Sequence, residues 1–155
     1  MADSIEAALG ANNVWIQGVG RDYAANLEGN LYPDGSPPKA IAEMTRLLRD
    51  ANSKCPNAKI IAGGYSQGAA LAAAAIRDID AGIRNKIVGT ALYGYTKNQQ
   101  NNGQIINYPS DRLVVFCNQG DRVCEGTLIV APPHLDYGDA ASNAGPNFLV
   151  GKVRG

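Results

Sequence analysis

The sequence has no excess charge of either sign and no long apolar run. Fourteen basic residues balance fourteen acidic ones among 155 residues. No basic face stands out, so we expect no nucleic acid as a partner. The longest apolar run, residues 69–76, is mostly alanine and is far shorter than the span of about 18 residues that a bilayer requires. With 45% hydrophobic and 18% charged residues, residues 1–155 are predicted to form a single globular domain.

Histidine and cysteine are scarce, which limits the chemistry open to the chain. There is one histidine, His134, and there are three cysteines, Cys55, Cys117 and Cys124. No Cys-x-x-Cys pair occurs and one imidazole cannot complete a usual zinc site, so we expect no bound metal. An odd cysteine count leaves at least one thiol without a partner in the chain.

Strands and helices are predicted to alternate along the chain. β-branched and apolar runs predict strands at 14–19, 59–65, 87–95 and 113–118, and helical spacing predicts helices at 3–9, 38–51, 67–79 and within 139–153. This order predicts an α/β fold with three layers, α/β/α, in which helices cover both faces of a mostly parallel sheet. Functional sites in such folds lie at the carboxyl ends of the strands.

The segment GGYSQG places a serine where a predicted strand gives way to an alanine-rich helix. Gly64, Ser66 and Gly68 fit the pattern G-x-S-x-G, in which the serine occupies a strained strand-to-helix turn. We expect glycine at both flanks because the strand and the helix approach too closely for a Cβ. N–H groups at the start of the helix would face an anion formed at the serine. The alternative is a chance match in a loop, which is easy with 18 glycines, but the flanking strand and helix favour a nucleophile.

A serine nucleophile needs a base, and His134 is the only imidazole available. A carboxylate must then orient that imidazole, and α/β-hydrolase-like chains place these groups in the order Ser, acid, His. The acids between the two residues are Asp78, Asp80, Asp111, Asp121 and Glu125. Asp121 is favoured because it follows a predicted strand at the carboxyl end of the sheet, and Glu125 is the fallback.

Asp121 also lies between two cysteines. A disulfide between Cys117 and Cys124 would close a small loop and hold the carboxylate still, and such a loop stabilises a fold by about 2–3 kcal/mol. Two independent buried thiols are the alternative.

With these residues assembled, the sequence resembles the fungal cutinases, in the cutinase and acetylxylan esterase group of serine esterases. The likeness runs from NNVWIQGVG to FLVGKVRG, and its most specific parts are GGYSQG and the C-N-x-G-D-x-V-C segment ahead of P-H-L. The resemblance implies that Ser66 is the nucleophile, Asp121 the acid and His134 the base. It also implies a backbone oxyanion donor at Gln67 and a disulfide between Cys117 and Cys124.

The resemblance also implies an open substrate site with an apolar rim. The rim maps onto Leu27, Leu128, Val130 and Leu135, with Tyr65 as a further substrate contact. Ordinary core packing is the alternative for the four aliphatic residues. An exposed apolar rim suits a fatty-acid polyester better than a sugar.

The implied activity is hydrolysis of cutin and of short- to medium-chain esters through an acyl-enzyme, without a cofactor. An acetylxylan esterase is the nearest alternative, and a non-catalytic binding module with the same fold is an alternative of another class. The implied protein is a secreted monomer, although residues 1–13 lack the basic and long apolar segments of a leader.

Family members carry a segment before the point at which this chain begins. The resemblance implies that it holds a central strand beside the nucleophile strand, a serine that is the second oxyanion donor, and a cysteine that pairs with Cys55. Asn30, which braces that serine in the family, would then have nothing to brace.

Three explanations stay open for this difference. The chain is part of a longer molecule, the gene model is truncated, or the fragment folds with a sheet that closes without the missing strand. We expect the sheet to lack this first strand. We expect the isolated chain to be a weak or unstable esterase, since loss of one oxyanion donor costs about 10²–10³ in rate.

Overall fold

The computed structural model describes all residues, 1–155. Its helices are α1 (Ala2–Leu9), α2 (Pro38–Lys54), α3 (Gln67–Asp78), α4 (Ala81–Arg84), α5 (Gly138–Ser142) and α6 (Ala144–Arg154). Its strands are β1 (Ile60–Tyr65), β2 (Ile87–Tyr93) and β3 (Leu113–Phe116). Short 3₁₀ helices cover Ala11–Asn13, Leu27–Leu31, Ser110–Arg112 and Pro132–Leu135. None of the helices combines the length and the apolar character that crossing a bilayer would require.

The three strands form one parallel sheet in the order β1-β2-β3. In the central strand, Ala91 stands opposite Gly63 of β1 and Val114 of β3. Because all strands run in the same direction, their carboxyl ends meet at one end of the sheet. The segments that follow the three strands therefore converge there. The outer side of β1 pairs with no other strand.

Helices cover both faces of the sheet, as predicted. On one face α3 packs on β1, α2 packs on α3, and the larger apolar core forms around Leu71, Ile76 and Leu92. On the other face α6 packs on β2 and α1 packs on α6, with Ile5 and Leu149 in a second apolar cluster. The three-layer α/β/α prediction is confirmed.

The alanines of α3 determine how closely this helix approaches the sheet. Ala69 and Ala75 are fully buried, and short side chains let the helix lie directly against β1. At the other end of α3, Arg84 donates to the carbonyls of Ile76, Arg77 and Ile79 at 2.5–2.8 Å. These bonds satisfy acceptors that the last helical turn leaves open. The carboxyl end of α3 is thereby tied to α4, which carries Arg84.

Residues 14–19 do not form the predicted strand. They pair with none of the three strands, and the side chains of Trp15 and Ile16 are about half exposed. β-branched and aromatic residues favour extended backbone, but a strand also needs a neighbour whose N–H and C=O groups complete the ladder. No such neighbour lies beside this segment, so the composition alone gave the wrong prediction.

The other predicted elements are present, with shifts at their ends. The helix predicted within 139–153 is two helices, α5 and α6, separated at Asn143. β2 ends at Tyr93 rather than at residue 95, because Gly94 has φ +57° and a strand cannot continue through that conformation.

Candidate active site

Ser66 lies between the end of β1 and the start of α3. Its backbone has φ 56° and ψ −120°, a conformation that residues with a Cβ rarely adopt. The backbone is held on both sides: the Ser66 N–H donates to the Tyr93 carbonyl at 2.9 Å, and the Ser66 carbonyl accepts from the N–H groups of Ala69 and Ala70. This is the strained strand-to-helix turn that the sequence pattern predicts.

The two glycines that flank Ser66 differ in what they allow. A Cβ at Gly64 would collide with the Gly68 carbonyl and lie 2.7 Å from the Ala69 backbone nitrogen, so the close approach predicted there is present. A Cβ at Gly68 would meet only the Tyr23 hydroxyl, at 3.7 Å, which is an ordinary contact. The prediction that both flanks exclude a Cβ is therefore wrong for Gly68, whose Cβ position points away from the strand.

Ser66, His134 and Asp121 form a hydrogen-bonded series at the carboxyl end of the sheet. The Ser66 Oγ lies 2.9 Å from His134 Nε2, and His134 Nδ1 lies 2.9 Å from Asp121 Oδ2. His134 and Asp121 are only 3% and 1% exposed. With Asp121 ionised, the network requires the neutral tautomer that carries its proton on Nδ1. Nε2 is then free to accept the serine proton.

Asp121 accepts two further hydrogen bonds. The Tyr137 hydroxyl donates to Oδ2 at 2.5 Å and the Val123 N–H donates to Oδ1 at 3.0 Å. Burial alone would raise the pKa of Asp121, but the bonds from Tyr137, His134 and Val123 outweigh it and hold the pKa below its ordinary value. The fallback acid, Glu125, is exposed to solvent.

The expected disulfide is present between Cys117 and Cys124, whose Cα atoms are 6.1 Å apart. It spans a sequence separation of 7 and closes the loop that carries Asp121. Cys124 is buried, so the bond ties this loop to the interior. Cys55 is a free thiol of intermediate burial.

Tyr65 lies on the imidazole of His134. The two rings stack with centroids 5.2 Å apart, and the Tyr65 hydroxyl donates to the His134 backbone carbonyl at 2.7 Å. The resemblance implies that Tyr65 is a substrate contact. Its ring is about half exposed, so it is accessible to a ligand, but its observed contacts also restrain His134.

Two residues that the sequence analysis did not select also contact these side chains. Tyr137 bonds Asp121, and Gly94 lies against the His134 ring. The available signals were weak: Tyr137 follows the histidine by three residues in HLDY, and Gly94 follows β2 at the same end of the sheet as Ser66.

Asn118 joins the loop of Asp121 to the loop of His134. Its side-chain amide donates to the carbonyls of Pro133 and Asp136 at 3.0 and 2.6 Å, and its N–H donates to the Tyr137 hydroxyl at 2.9 Å. The short 3₁₀ helix that carries His134 is therefore tied to the end of β3. No pattern in the sequence marks this asparagine as a link between the two loops.

The first turn of α3 offers free backbone donors beside Ser66. The N–H groups of Gln67 and Gly68 donate to no group of the chain, as is usual at a helix start. The Gln67 side chain donates through Nε2 to the Asn26 carbonyl at 2.6 Å. The Asn30 Oδ1 is buried without a hydrogen-bond partner, and its amide nitrogen donates to the Leu27 carbonyl.

The four aliphatic residues that the resemblance assigns to a rim are exposed. Leu27 and Leu135 are 83% and 71% exposed, and Leu128 and Val130 are more than half exposed. Leu27 lies in the 3₁₀ helix next to Gln67, whereas the other three lie on the segment that runs from Asp121 past His134. Core packing, the alternative, is therefore wrong for all four. Leu31, Tyr32 and Ile129 add further exposed apolar surface on the same segments.

The arrangement can move a proton between a strained serine and a buried imidazole whose opposite nitrogen is held by a carboxylate. It offers no evident site for a metal, since no group of three or more His, Cys, Asp or Glu side chains could hold an ion.

Known proteins with similar sequences and folds agree on one family. The family model described as Cutinase matches residues 1–153. Cutinase 1 of Fusarium vanettenii is 59% identical over 154 residues, which cover 99% of this chain and 67% of that protein. The cutinase of Didymella rabiei is 48% identical over 153 residues, covering 99% of this chain and 68% of that protein.

The fold comparison gives the same result. The structure of Trichoderma reesei cutinase in complex with a C11Y4 phosphonate inhibitor superposes with a TM-score of 0.83 at 28% identity, covering 97% of this chain and 65% of that one. The chain thus spans about two thirds of the length of these relatives. From the family match and the close sequence relatives, the chain belongs to the cutinase family.

Proposed function

We propose that this protein is a serine esterase that hydrolyses cutin polyester and short- to medium-chain carboxylic esters. Cutinases are carboxylic ester hydrolases, and membership of that family supports the reaction class. The observation that carries the proposal for this chain is the unbroken series of hydrogen bonds from Ser66 through His134 to Asp121. We call these three residues the triad.

In the proposed first half-reaction, Ser66 Oγ attacks the ester carbonyl carbon while His134 Nε2 accepts the hydroxyl proton. The carbonyl π electrons move to oxygen and give a tetrahedral oxyanion. As that intermediate collapses, the bond to the alkoxy oxygen breaks and His134 returns the proton to the leaving alcohol. The product is an ester between the acyl group and Ser66. Asp121 stays ionised and stabilises the imidazolium that forms in between.

The second half-reaction repeats these steps with water. His134 takes a proton from water as the water oxygen attacks the acyl carbon, and then returns it to Ser66 as the carboxylic acid departs. Each proton that His134 accepts is returned within the same half-reaction, so the cycle needs no external acid, base or cofactor.

The oxyanion would be stabilised by the free N–H groups at the start of α3. The Gln67 N–H is the donor that the family pattern implies, and it has no competing acceptor in the chain. The positive end of the helix macrodipole adds to the same effect. An oxyanion donor of this kind typically contributes about 10²–10³ in rate.

The exposed leucines and valine provide the proposed acyl-binding surface. They lie on two segments, one next to Gln67 and one continuous with His134. Apolar side chains that face solvent on both sides of a nucleophile are suited to an aliphatic chain or a polyester surface. The disulfide supports action outside the cell, since such bonds persist in oxidising compartments.

The proposal is tested by labelling the 155-residue chain with a p-nitrophenyl alkylphosphonate and locating the adduct by mass spectrometry. We expect one adduct, on Ser66, together with hydrolysis of p-nitrophenyl butyrate. Ser66→Ala should lose both. Ser110→Ala is the matched control, because Ser110 is exposed next to the amino end of β3, away from the triad, and should change neither.

Substrate range is tested by comparing butyrate and longer esters, cutin and acetylated xylan. We expect a preference for the fatty esters and release of hydroxy acids from cutin. A preference for acetylated xylan would instead identify a sugar acetate as the substrate. Absence of any phosphonate adduct on Ser66 in folded protein would overturn the esterase proposal. If the Ser66→Ala protein removes as much substrate from solution as the wild type does, the protein binds the substrate rather than hydrolysing it.

A further inference from the structure

We propose that Tyr137 is a positioning residue for this reaction: its hydroxyl fixes the Asp121 carboxylate so that Oδ2 stays aimed at His134. The inference rests on the proposed esterase function, because it assigns a role within the same triad. The Tyr137 hydroxyl forms no hydrogen bond to Ser66 or to the His134 side chain; its bonds are to the Asp121 carboxylate and to the Asn118 N–H.

The Tyr137 hydroxyl is held between two groups from the other loop. It donates to Asp121 Oδ2 at 2.5 Å and accepts from the Asn118 N–H at 2.9 Å. A hydroxyl with both its donor and one acceptor site occupied has little freedom to rotate. The ring is buried, with its edge toward the His134 imidazole at an interplanar angle of 84°. The orientation of the donor is therefore determined by packing.

Each oxygen of Asp121 depends on a small number of donors. Oδ1 accepts from the Val123 N–H and lies 3.1 Å from His134 Nδ1, whereas Oδ2 accepts from His134 Nδ1 and from Tyr137. The two distances to the imidazole are similar, so the histidine alone does not select one carboxylate oxygen. The bond from Tyr137 to Oδ2, together with the bond from the Val123 N–H to Oδ1, distinguishes the two oxygens and restrains rotation about the Cβ–Cγ bond.

The protonation of Asp121 is coupled to few neighbours. The titratable groups that face it are His134 and Tyr137, and Tyr65 stacks on the imidazole without bonding the carboxylate. Burial, followed by the bond to the Asp121 carboxylate, raises the pKa of Tyr137, so its hydroxyl keeps its proton throughout the working range. Loss of this donor would weaken the stabilisation of the ionised carboxylate and raise the pKa of Asp121.

The test is Tyr137→Phe in the full chain, which keeps the ring and removes the hydroxyl. We expect kcat to fall by about 10- to 100-fold with KM little changed, since the substrate surface is untouched. The acid limb of the kcat/KM profile should move to higher pH. In ¹³C-labelled protein the Asp121 carboxyl should titrate at higher pH than in the wild type.

A second readout uses the fact that His134 is the only histidine. The Nδ1–H proton shared with Asp121 therefore gives a single assignable imidazole signal at low field in proton NMR. In Tyr137→Phe this signal should shift and exchange faster with solvent, since the carboxylate that holds the proton is less well fixed. These measurements do not depend on turnover, so they also test the inference if the wild type proves inactive as an esterase.

Tyr108→Phe is the matched control. Tyr108 is also a buried tyrosine, and its hydroxyl donates to the Ile87 carbonyl and accepts from Thr90, at the opposite end of β2 from the triad. This variant should lose thermal stability but keep the wild-type kcat, pH profile and His134 signal. A purely structural role for Tyr137 would make the two variants behave alike.

Wild-type kcat and an unchanged Asp121 titration in folded Tyr137→Phe would overturn the inference. Equal effects of Tyr108→Phe on the pH profile would overturn it as well. If Tyr137→Phe does not fold, the Asp121→Asn protein tests the same bond from the other side. Removal of the carboxylate charge should then shift the Tyr137 Cζ signal, and an unshifted signal would contradict the contact.

Discussion

Gly94 lies so close to the imidazole of His134 that no side chain fits between them. A Cβ on Gly94 would lie 2.8 Å from His134 Cε1 and 2.9 Å from Nδ1. Gly94 also has φ +57°, a conformation in which L-residues are strained. The backbone at the end of β2 therefore packs directly against the histidine ring. Only glycine at this position allows the ring to lie between Ser66 and Asp121.

Gly94→Ala is expected to displace the imidazole. The steric overlap and the positive φ should together lower stability by about 1–3 kcal/mol. A displacement of about 1 Å at a reacting group can cost about 10²-fold in rate, so we expect kcat to fall by that order. Steady-state kinetics and thermal unfolding measure the two effects separately.

Gly82→Ala serves as its control. Gly82 lies in α4, has no atom within 4 Å of a built Cβ and has no positive φ. Alanine there should leave kcat unchanged and should stabilise the helix by up to about 1 kcal/mol. Wild-type kinetics in folded Gly94→Ala would contradict the assigned contact with His134.

Two of the three polar side chains could be placed from the sequence because each is tied to a strand end or to a motif. Ser66 is fixed by G-x-S-x-G, and Asp121 follows the strand that ends at Phe116. Parallel strands bring such segments to one end of a sheet whatever the rest of the chain does. His134 was selected because no other imidazole exists.

Contacts that depend on loop geometry could not be predicted in this way. The position of Tyr137 beside Asp121 depends on how the 3₁₀ helix Pro132–Leu135 folds and on the bonds from Asn118. The failed strand at 14–19 shows a related limit, since strand formation depends on a partner and not on local composition alone. Gly68 fits a motif whose steric reason applies in this chain only at Gly64.

Removal of the disulfide should affect both stability and activity. The double variant Cys117→Ser, Cys124→Ser opens the loop that holds Asp121, and the loop-entropy model gives a loss of about 2–3 kcal/mol in the free energy of unfolding. We expect kcat to fall as well, because Asp121 gains freedom to move. Urea unfolding and ester hydrolysis measure both quantities.

Cys55→Ser is the control for that experiment, since this thiol forms no bond in the structure. It should change neither the urea midpoint nor kcat, and reducing agent should destabilise the wild type but not the double variant. An equal response of both proteins to the reductant would show that the bond does not constrain the folded domain.

Leu135→Ser should reduce activity on insoluble polyester more than activity on a soluble short ester. Leu135 is strongly exposed and follows His134 directly, so an apolar surface pressed against this end of the sheet would contact it. A loss of about 1–2 kcal/mol of apolar contact corresponds to a reduction of about 5- to 30-fold in polymer hydrolysis. Hydrolysis of p-nitrophenyl butyrate should change much less.

Ile106→Ser is the matched control for the rim. Ile106 is another exposed aliphatic side chain, but it lies beside Arg77 and Asp34, on another part of the surface. Equal losses of polymer hydrolysis in the two variants would show that general surface hydrophobicity, and not the rim, governs adsorption.

Arg77 is expected to contribute to stability in a pH-dependent way. Its guanidinium donates to both oxygens of Asp34 at 2.8 and 3.0 Å and to both oxygens of Asp78 at 2.7 Å. These hydrogen bonds hold the pKa of each carboxyl below its ordinary value. A carboxyl whose pKa is lower in the folded than in the unfolded protein stabilises the fold. This stabilisation is complete above the pKa of the unfolded state, near 4, and is lost as pH falls through the pKa of the folded state.

Arg77→Gln should therefore lower the free energy of unfolding by about 1 kcal/mol at pH 7, a modest figure because both carboxylates are partly exposed and screened by solvent. The difference from the wild type should shrink as pH falls from about 4 through the lower pKa values of the two carboxyls in the folded wild type, where they become protonated. Urea unfolding at a series of pH values measures this convergence. Arg49→Gln, which removes a more exposed pair with Asp80 at 3.3 Å, should have a smaller effect throughout. A gap between Arg77→Gln and wild type that stays constant down to pH 3 would mean that packing of the long side chain, and not charge, is what Arg77 contributes.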